Sequence, residues 1–240
     1  TRDNNPFVEM QSIPTFGAYD WEYFTINDKH YLVVANLVST TTGNDVYTQK
    51  STIYEYDPAR AKDLAFKEFQ SIDTIGAYDW EYMNIGDKHY LIVANYCGSF
   101  MKEHEQNSVI YKYDSATKQF KKHQDDIATI GATSIASFKI NGDNFFVISN
   151  YKALSSSTTK SYIYKYNSNN DQFEKMPGDQ DIASKFTGLW KYYSIGQRHF
   201  LLSTSAKETT TSTLYEYDAT KTNNLFQQIH SFPIKSEASE

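Results

Sequence analysis

The sequence predicts an all-β protein built from repeated four-stranded antiparallel sheets. One stretch of the chain, 17–36, returns at 76–95 with 16 of 20 residues identical. A short phrase, typified by Gln-Ser-Ile-Asp-Thr-Ile, occurs five times, and its anchor isoleucines lie 59, 55, 55 and 47 residues apart. These anchors are Ile13, Ile72, Ile127, Ile182 and Ile229. Repetition at such a period indicates an array of small equivalent units.

Composition agrees with this prediction and excludes some partners. The chain has 240 residues, of which 40% are hydrophobic, which suits one large all-β domain over 1–240. Tyr (20) and Phe (15) are frequent while Gly (10) and Pro (5) are sparse, which favours strands over disorder. A net charge of −6 gives nucleic acid no basic surface to bind. The longest apolar run, 31–38, is too short for membrane insertion.

Three strand-like segments follow each short phrase. The second segment is almost continuously apolar, which is typical of a strand covered on both faces. The third alternates β-formers with charged or hydroxyl residues, the period of a half-buried strand. The first segments are 18–26, 77–85, 132–140 and 187–195. The second segments are 29–36, 88–95, 143–150 and 198–205. The third segments are 51–57, 108–114, 161–167 and 212–218.

Four strands in each of four units favour a radial arrangement. A small sheet cannot bury both faces alone, and stacking such sheets around an axis buries them. We therefore predict a small β-propeller with four blades, and five blades or a ring completed by a second subunit are the alternatives. The surplus copy of the phrase, at one terminus or the other, is expected to complete a blade and fasten the ring. The predicted units are approximately 7–66, 67–121, 122–174 and 175–232.

The repeated motif resembles a known family. The pattern Gly-Ala-x-Asp-Trp-Glu, followed by Leu-Val-Val-Ala-Asn and then Ser-x-Ile-Tyr-x-Tyr, is similar to the EAR repeat, also called the EPTP or epitempin repeat. That repeat is known from the leucine-rich glioma-inactivated proteins and related extracellular receptors. The resemblance covers 7–232 and is strongest in the first two units. It implies a β-propeller in a secreted, non-enzymatic recognition protein.

Two acidic pairs are the candidate metal ligands. Asp20 and Glu22, like Asp79 and Glu81, lie two residues apart on a strand and so point to one face. Carboxylates from neighbouring blades could enclose Ca²⁺, and the resemblance implies a channel ion at Asp20 and Asp79. The favoured alternative is that these side chains join blades through backbone hydrogen bonds. Other units replace the aspartate by Ser134 or Leu189, and Lys191 replaces a glutamate. We therefore expect no cofactor and keep Ca²⁺ as the weaker alternative.

Two further columns of side chains recur with the unit. Trp21, Trp80 and Trp190 are expected to pack between blades, with a ligand-lining role as the alternative. The histidines of the second segment are spread around the ring rather than clustered for a metal, so a repeated structural hydrogen bond is favoured. These histidines are His30, His89 and His199, with Asn144 in the remaining unit.

Long links between the second and third strands suggest the recognition surface. They emerge from one end of the propeller, and loops held by a rigid frame commonly carry function. The links are 37–50, 96–107, 151–160 and 206–211. The predicted ligand-binding residues are the asparagines at their roots and the tyrosines that follow, namely Asn36, Asn95, Tyr96, Asn150 and Tyr151. The only cysteine, Cys97, could be a free thiol or form an intermolecular link.

The sequence therefore favours a secreted, multivalent lectin that binds glycans or glycoproteins. Repeated equivalent sites would gain affinity by avidity. The alternative is a module that binds an extracellular protein receptor. An enzyme is disfavoured because the chain has no Gly-x-Ser-x-Gly nucleophile and no Gly-rich phosphate loop. Glycosidases also use pairs of carboxylates, but the pairs in this chain repeat with the fold, so duplication is the simpler cause.

Overall fold

The computed structural model describes residues 7–40, 46–99, 103–151, 160–176, 182–183, 187–205, 211–221 and 224–233. Their strands form four antiparallel sheets, here called blades 1 to 4. Blade 1 holds β1 Ala18–Ile26, β2 Lys29–Asn36, β3 Thr48–Tyr56 and β4 Phe66–Ile75. Blade 2 holds β5 Ala77–Ile85, β6 Lys88–Asn95, β7 Ser108–Asp114 and β8 Gln119–Ile127. Blade 3 holds β9 Ile135–Ile140, β10 Asp143–Ile148, β11 Lys160–Asn167, β12 Gln172–Lys175 and β13 Ile182–Ala183. Blade 4 holds β14 Thr187–Ile195, β15 Arg198–Ser205, β16 Ser212–Tyr217 and β17 Phe226–Phe232.

Each blade follows the chain from its first to its fourth strand, as predicted. The hairpin between the first two strands is tight: in blade 1, Ile26 pairs with Lys29 across two residues. Those residues, Asn27 and Asp28, have φ of 49° and 61°. This left-handed conformation matches the twist of the flanking strands and suits Asn and Asp. A single 3₁₀ turn, Lys62–Leu64, is the helical element among the described residues.

The sequence repeat and the blade are offset by one strand. Each of the last four phrases contributes to the outer strand of the preceding blade, so the predicted units begin one strand before the blades. In blade 3 the phrase around Ile182 contains β13, and β12 and β13 pair with different parts of β11. The surplus phrase is the first one, 7–16, and it forms no strand. At the other end of the chain, the phrase around Ile229 lies in β17 and completes blade 4, as expected of one terminal phrase. That it fastens the ring stays a prediction.

The first phrase is nevertheless anchored to blade 1. The Gln11 side chain donates to the Phe66 carbonyl at 2.9 Å and accepts from the Phe66 N–H at 2.8 Å. Gln70 makes the same two hydrogen bonds, 2.8 Å each, to Phe120 of blade 2. Residues 7–16 thus lie beside blade 1 in the way that the outer strand of blade 1 lies beside blade 2.

The hydrophobic core lies between blades rather than at one centre. Packed clusters join blade 1 to blade 2, blade 2 to blade 3, and blade 3 to blade 4. Among the described residues, no such cluster joins blade 4 to blade 1. The second strands are covered on both faces, as predicted: Val33, Val34 and Ala35 are 0% exposed. In the part of the chain that the structure describes, no helix is long and apolar enough to cross a bilayer.

Candidate functional site

Glycines at the start of the first strands position the residues that follow the root asparagines. Gly76 has φ of +59°, and a Cβ there would stand 2.4 Å from the carbonyl oxygen of Cys97. Only glycine therefore fits. Its carbonyl accepts the N–H of Tyr96 at 2.8 Å, and Gly131 accepts the N–H of Tyr151 at 2.9 Å. Both predicted tyrosines are thus fixed at the end of the propeller from which the links emerge.

Four tyrosines form a continuous row at this end, here called the tyrosine surface. The ring centroids of Tyr19 and Tyr78 are 4.3 Å apart, those of Tyr78 and Tyr96 are 5.4 Å apart, and those of Tyr96 and Tyr151 are 6.4 Å apart. Tyr19 is 56% exposed and the other three are half-buried. The row draws on blades 1, 2 and 3, so the structure brings Tyr96 and Tyr151 together.

Sequence reasoning missed two members of this row. Tyr19 and Tyr78 are the third residues of the two Gly-Ala-Tyr-Asp-Trp-Glu-Tyr motifs, in which the sequence pattern points first to the acidic and tryptophan columns. Their position immediately after Gly-Ala, at the same strand end as the links, was the available signal. The central parts of the predicted links, 41–45, 100–102, 152–159 and 206–210, lie outside the described residues.

An apolar cluster supports the tyrosine surface from below. Leu37, Tyr47 and Cys97 are buried and pack against the half-buried Tyr78 and Tyr96. Cys97 is only 1% exposed. An intermolecular disulfide would require its thiol to reach solvent, so this burial argues against the link that the sequence left open. Rigid support of this kind reduces the ordering cost of a binding surface.

The hydroxyls of Tyr78 and Tyr96 stay protonated at neutral pH. Burial, followed by interactions with Cys97 and Tyr151, raises the pKa of Tyr96 to about 12. Burial also raises the pKa of Tyr78, and the neighbouring Tyr19 and Tyr151 add to the shift. These two hydroxyls can therefore both donate and accept hydrogen bonds.

The root asparagines are buried and engaged with the backbone. Asn36 accepts the N–H of Phe16 at 3.0 Å and donates to the carbonyl of Lys50 at 2.8 Å. Asn150 makes the two equivalent bonds at 2.7 Å each. The Asn95 amide donates to the carbonyl of Asn107, the residue just before β7, at 2.8 Å. All three are at most 3% exposed, so the structure shows them fixing the link roots. Ligand contact by them stays a prediction.

The three tryptophans differ in environment. Trp80 and Trp190 are each 1% exposed and belong to clusters between blades, the packing arrangement that we favoured. Trp190 also donates its Nε1–H to Ser161 Oγ at 3.1 Å. Trp21 is 40% exposed and faces Tyr54 of its own blade, with ring centroids 6.0 Å apart. Trp21 is therefore the one of the three that an external ligand can contact.

The acidic side chains form hydrogen bonds between blades, which is the role that the sequence analysis favoured over a metal site. Asp20 accepts the N–H of Trp80 at 3.3 Å, and Glu22 accepts the N–H of Tyr82 at 3.1 Å. Asp79 accepts the N–H of Ile135 in blade 3 at 2.6 Å. Each carboxylate of blade 1 thus satisfies a backbone donor on the first strand of blade 2.

These carboxylates also lie close to one another. The pKa of Glu22 is raised to about 7, first by burial and then by Glu81 and Asp20, while the hydrogen bond from the Tyr82 N–H opposes the shift. Burial and then Asp20 raise the pKa of Asp79. Among the described residues, no group of three or more His, Cys, Asp or Glu side chains has the arrangement of a metal site. Ca²⁺ at Asp20 and Asp79 stays a prediction.

The repeated histidines of the second strands each share a hydrogen bond with a tyrosine of the first strand. His30 and Tyr23 share a hydrogen bond of 2.7 Å between Nδ1 and the hydroxyl. His89 makes the same contact with Tyr82 at 2.6 Å, and the histidine of blade 4 repeats it. This is the repeated structural hydrogen bond expected from the sequence.

Comparisons with known proteins agree with the repeat pattern. A family model described as the EPTP domain matches residues 7–57, 65–114 and 119–167. The thrombospondin-type laminin G domain and EAR repeat-containing proteins of Homo sapiens and Mus musculus are 36% and 33% identical over 158 residues. Each match covers 66% of this chain, and the chain spans 22% of the length of these relatives.

Solved structures with a similar fold are β-propeller glycoside hydrolases. The GH43_1 enzyme from Xanthomonas citri complexed with xylotriose has a TM-score of 0.53 at 8% identity, covering 91% of this chain and 75% of that one. The exo-beta-1,3-galactanase from Phanerochaete chrysosporium with galactose has a TM-score of 0.52 at 8% identity, covering 93% and 51%. At such identities the likeness shows the propeller fold alone. The sequence match, in contrast, shows the family: this chain belongs to the EPTP (EAR) repeat proteins.

Proposed function

We propose that the chain is an extracellular recognition protein without enzymatic activity, and that it binds a protein partner through the tyrosine surface. The observation that carries this proposal is the row from Tyr19 to Tyr151, in which successive rings are 4.3 to 6.4 Å apart. Tyrosine supplies large contact area at a small cost in side-chain entropy and is enriched at binding hot spots.

The geometry favours one extended surface over several equivalent sites. The lectin hypothesis relied on repeated, separate sites that gain avidity. The tyrosine surface instead combines residues of three blades into one row, and its members come from different places in the repeat. Tyr19 and Tyr78 are on first strands, whereas Tyr96 and Tyr151 follow second strands. An extended, uncharged aromatic surface suits a protein partner.

A lectin remains the second candidate, supported by a groove between blades 2 and 3. The groove encloses about 540 Å³, within the range of small-ligand sites. Tyr162, Tyr164 and Gln172 line one wall, and Gln124 lies on the other. Aromatic rings beside amides are the groups with which proteins bind sugars, through stacking and paired hydrogen bonds.

The comparisons support the proposed setting and the absence of catalysis. The relatives' name contains a thrombospondin-type laminin G domain, which supports an extracellular location. The glycoside hydrolases share only the fold with this chain, and function lies in a site rather than in a fold. In this chain the acidic pairs are used between blades, where Asp20 and Glu22 accept backbone N–H groups. We expect the chain neither to bind nucleic acid nor to insert into a membrane.

Binding to an immobilised extracellular extract tests both candidates. We expect Tyr19→Ala to weaken binding about fivefold or more, the effect of losing roughly 1 kcal/mol of contact energy. Tyr23→Ala is the matched control, because Tyr23 lies on the same strand and is 54% exposed against 56% for Tyr19. The control should bind like the parent.

Treatment of the extract separates a protein partner from a glycan. Protease digestion that abolishes binding, with no effect of glycosidases or free monosaccharides, supports the protein partner. Inhibition by a free sugar, together with loss of binding in Tyr162→Ala and none in Tyr19→Ala, would instead establish the lectin. Equal weakening by Tyr19→Ala and Tyr23→Ala would contradict the tyrosine surface.

A further inference from the structure

We propose that Tyr19 and Tyr78 are a site of oxidative cross-linking, at which a peroxidase-type oxidant joins the two rings into dityrosine and links blade 1 to blade 2 covalently. Their ring centroids are 4.3 Å apart with an interplanar angle of 43°. Aromatic pairs in proteins usually lie about 4.5 to 7 Å apart, so these rings are in direct contact. This proposal does not depend on the partner proposed above.

One ring of the pair is open to a reagent and the other is held in place. Tyr19 is 56% exposed, which gives an oxidant access to its phenol. Tyr78 is half-buried and packs on the apolar cluster below the tyrosine surface. Its hydroxyl stays protonated because burial raises its pKa, so it can release a proton together with an electron. Because the ring of Tyr78 is held next to the exposed ring of Tyr19, coupling within one molecule is favoured over coupling between molecules.

The remaining tyrosines can deliver oxidation to this pair. Tyr96 is 5.4 Å from Tyr78, and Tyr151 is 6.4 Å from Tyr96, measured between ring centroids. A radical formed on either ring can pass along the row by electron transfer between neighbouring phenols. The contact between Tyr19 and Tyr78 is the shortest in the row, so we expect the two radicals to couple at this pair.

The reaction balances with a peroxide as the oxidant. Each phenol gives up one electron and one proton and becomes a phenoxyl radical. A carbon–carbon bond then forms between the ring carbons adjacent to the two hydroxyl-bearing carbons. Each of these carbons loses its hydrogen as a proton, and each oxygen regains one, so both rings become phenols again. One hydrogen peroxide accepts the two electrons and two protons and leaves as two molecules of water.

Two other tyrosine environments in the described part of the chain differ from this pair. Tyr23 is 54% exposed, but its ring stacks on that of His30, with centroids 6.0 Å apart. Tyr90 and Tyr166 are 6.0 Å apart between centroids, and Tyr90 is 0% exposed. The geometry therefore predicts a selective reaction rather than general oxidation.

The test is to treat the purified 240-residue protein with a haem peroxidase and hydrogen peroxide at low protein concentration. We expect a monomer whose mass falls by two hydrogen atoms, dityrosine fluorescence, and one cross-linked peptide that contains Tyr19 and Tyr78. Because the link joins segments one repeat apart, it should also raise the melting temperature by several degrees.

Conservative variants make the result specific. Tyr19→Phe and Tyr78→Phe keep the rings but cannot form a phenoxyl radical, so each should remove the monomeric product while its melting temperature before oxidation stays near that of the parent. Tyr23→Phe, the matched control, should form the product in full yield. A monomeric cross-link of equal yield in Tyr19→Phe, or products formed only between molecules, would overturn the proposal.

Discussion

The same seven-residue motif has two environments in this molecule. In blade 2, Gly-Ala-Tyr-Asp-Trp-Glu-Tyr packs against blade 1, and Trp80 is 1% exposed. In blade 1, Asp20 and Glu22 of the identical motif contact blade 2, but Trp21 has no packed blade against it among the described residues and is 40% exposed. Tyr23 is 54% exposed, while its counterpart Tyr82 is half-buried. Burial of these side chains therefore depends on the neighbouring blade and not on the motif itself.

The largest expected difference is between the two tryptophans. Trp80→Ala removes a fully buried side chain from the interface of blades 1 and 2, so it should lower the free energy of unfolding by about 3 to 5 kcal/mol. Trp21→Ala removes a ring that already contacts solvent and should cost about 1 kcal/mol or less. Thermal unfolding monitored by circular dichroism checks both. Equal shifts in melting temperature would mean that the face of blade 1 is packed in solution.

A smaller effect is expected at a polar contact between blades 2 and 3. The Asp171 carboxylate accepts hydrogen bonds from Lys112 at 2.6 Å, Lys88 at 2.8 Å and Tyr90 at 2.6 Å. Burial alone would raise the pKa of Asp171, but the hydrogen bonds, with Lys112 first, hold it well below its ordinary value. We expect Asp171→Asn to lower the free energy of unfolding by about 1 to 3 kcal/mol, because two lysines lose their charged partner.

The control for Asp171 is an exposed ion pair within one blade. Asp114 pairs with Lys121 of the same sheet, and the pair is open to solvent. Asp114→Asn should leave the melting temperature close to that of the parent, since surface pairs contribute little. If both variants behave alike in urea unfolding, the contact at Asp171 adds no stability to the interface.

The smallest effect is a pH dependence at the interface of blades 1 and 2. The pKa of Glu22 is raised from 4.5 to about 7, first by burial and then by Glu81. The folded protein therefore binds a proton that the unfolded chain releases, and this contribution to stability is lost as pH rises from about 4.5 to 7. Glu22→Gln should remove that contribution. Between pH 5 and 8, the melting temperature of this variant should then fall less steeply with pH than that of the parent. An unchanged slope would contradict the raised pKa of Glu22 as the cause.

The strands were largely predictable because each carries its own periodicity. The predicted segments 18–26 and 29–36 coincide with β1 and β2, since turn residues bound both and their apolar patterns differ clearly. The role of the first phrase was not predictable. Its sequence resembles that of an outer strand, but strand formation needs an unpaired sheet edge, and β17 already fills that position in blade 4.

The candidate site was only partly predictable. Tyr96 and Tyr151 follow from the link position, yet Tyr19 and Tyr78 join them only because neighbouring blades bring strand ends together in space. The sequence also cannot show where an amide is directed. From the sequence, Asn36 is a polar residue at a loop root. In the structure its side chain accepts a hydrogen bond from the Phe16 N–H and donates one to the Lys50 carbonyl.

The offset between repeat and blade affects how such a chain can change during evolution. Each repeat supplies the outer strand of one blade and the first three strands of the next. Loss or duplication of one whole repeat by recombination leaves every remaining sheet with four strands, since the next phrase takes the vacated edge. Blade number can therefore vary between descendants of one ancestral gene without exposing a sheet edge that would promote aggregation.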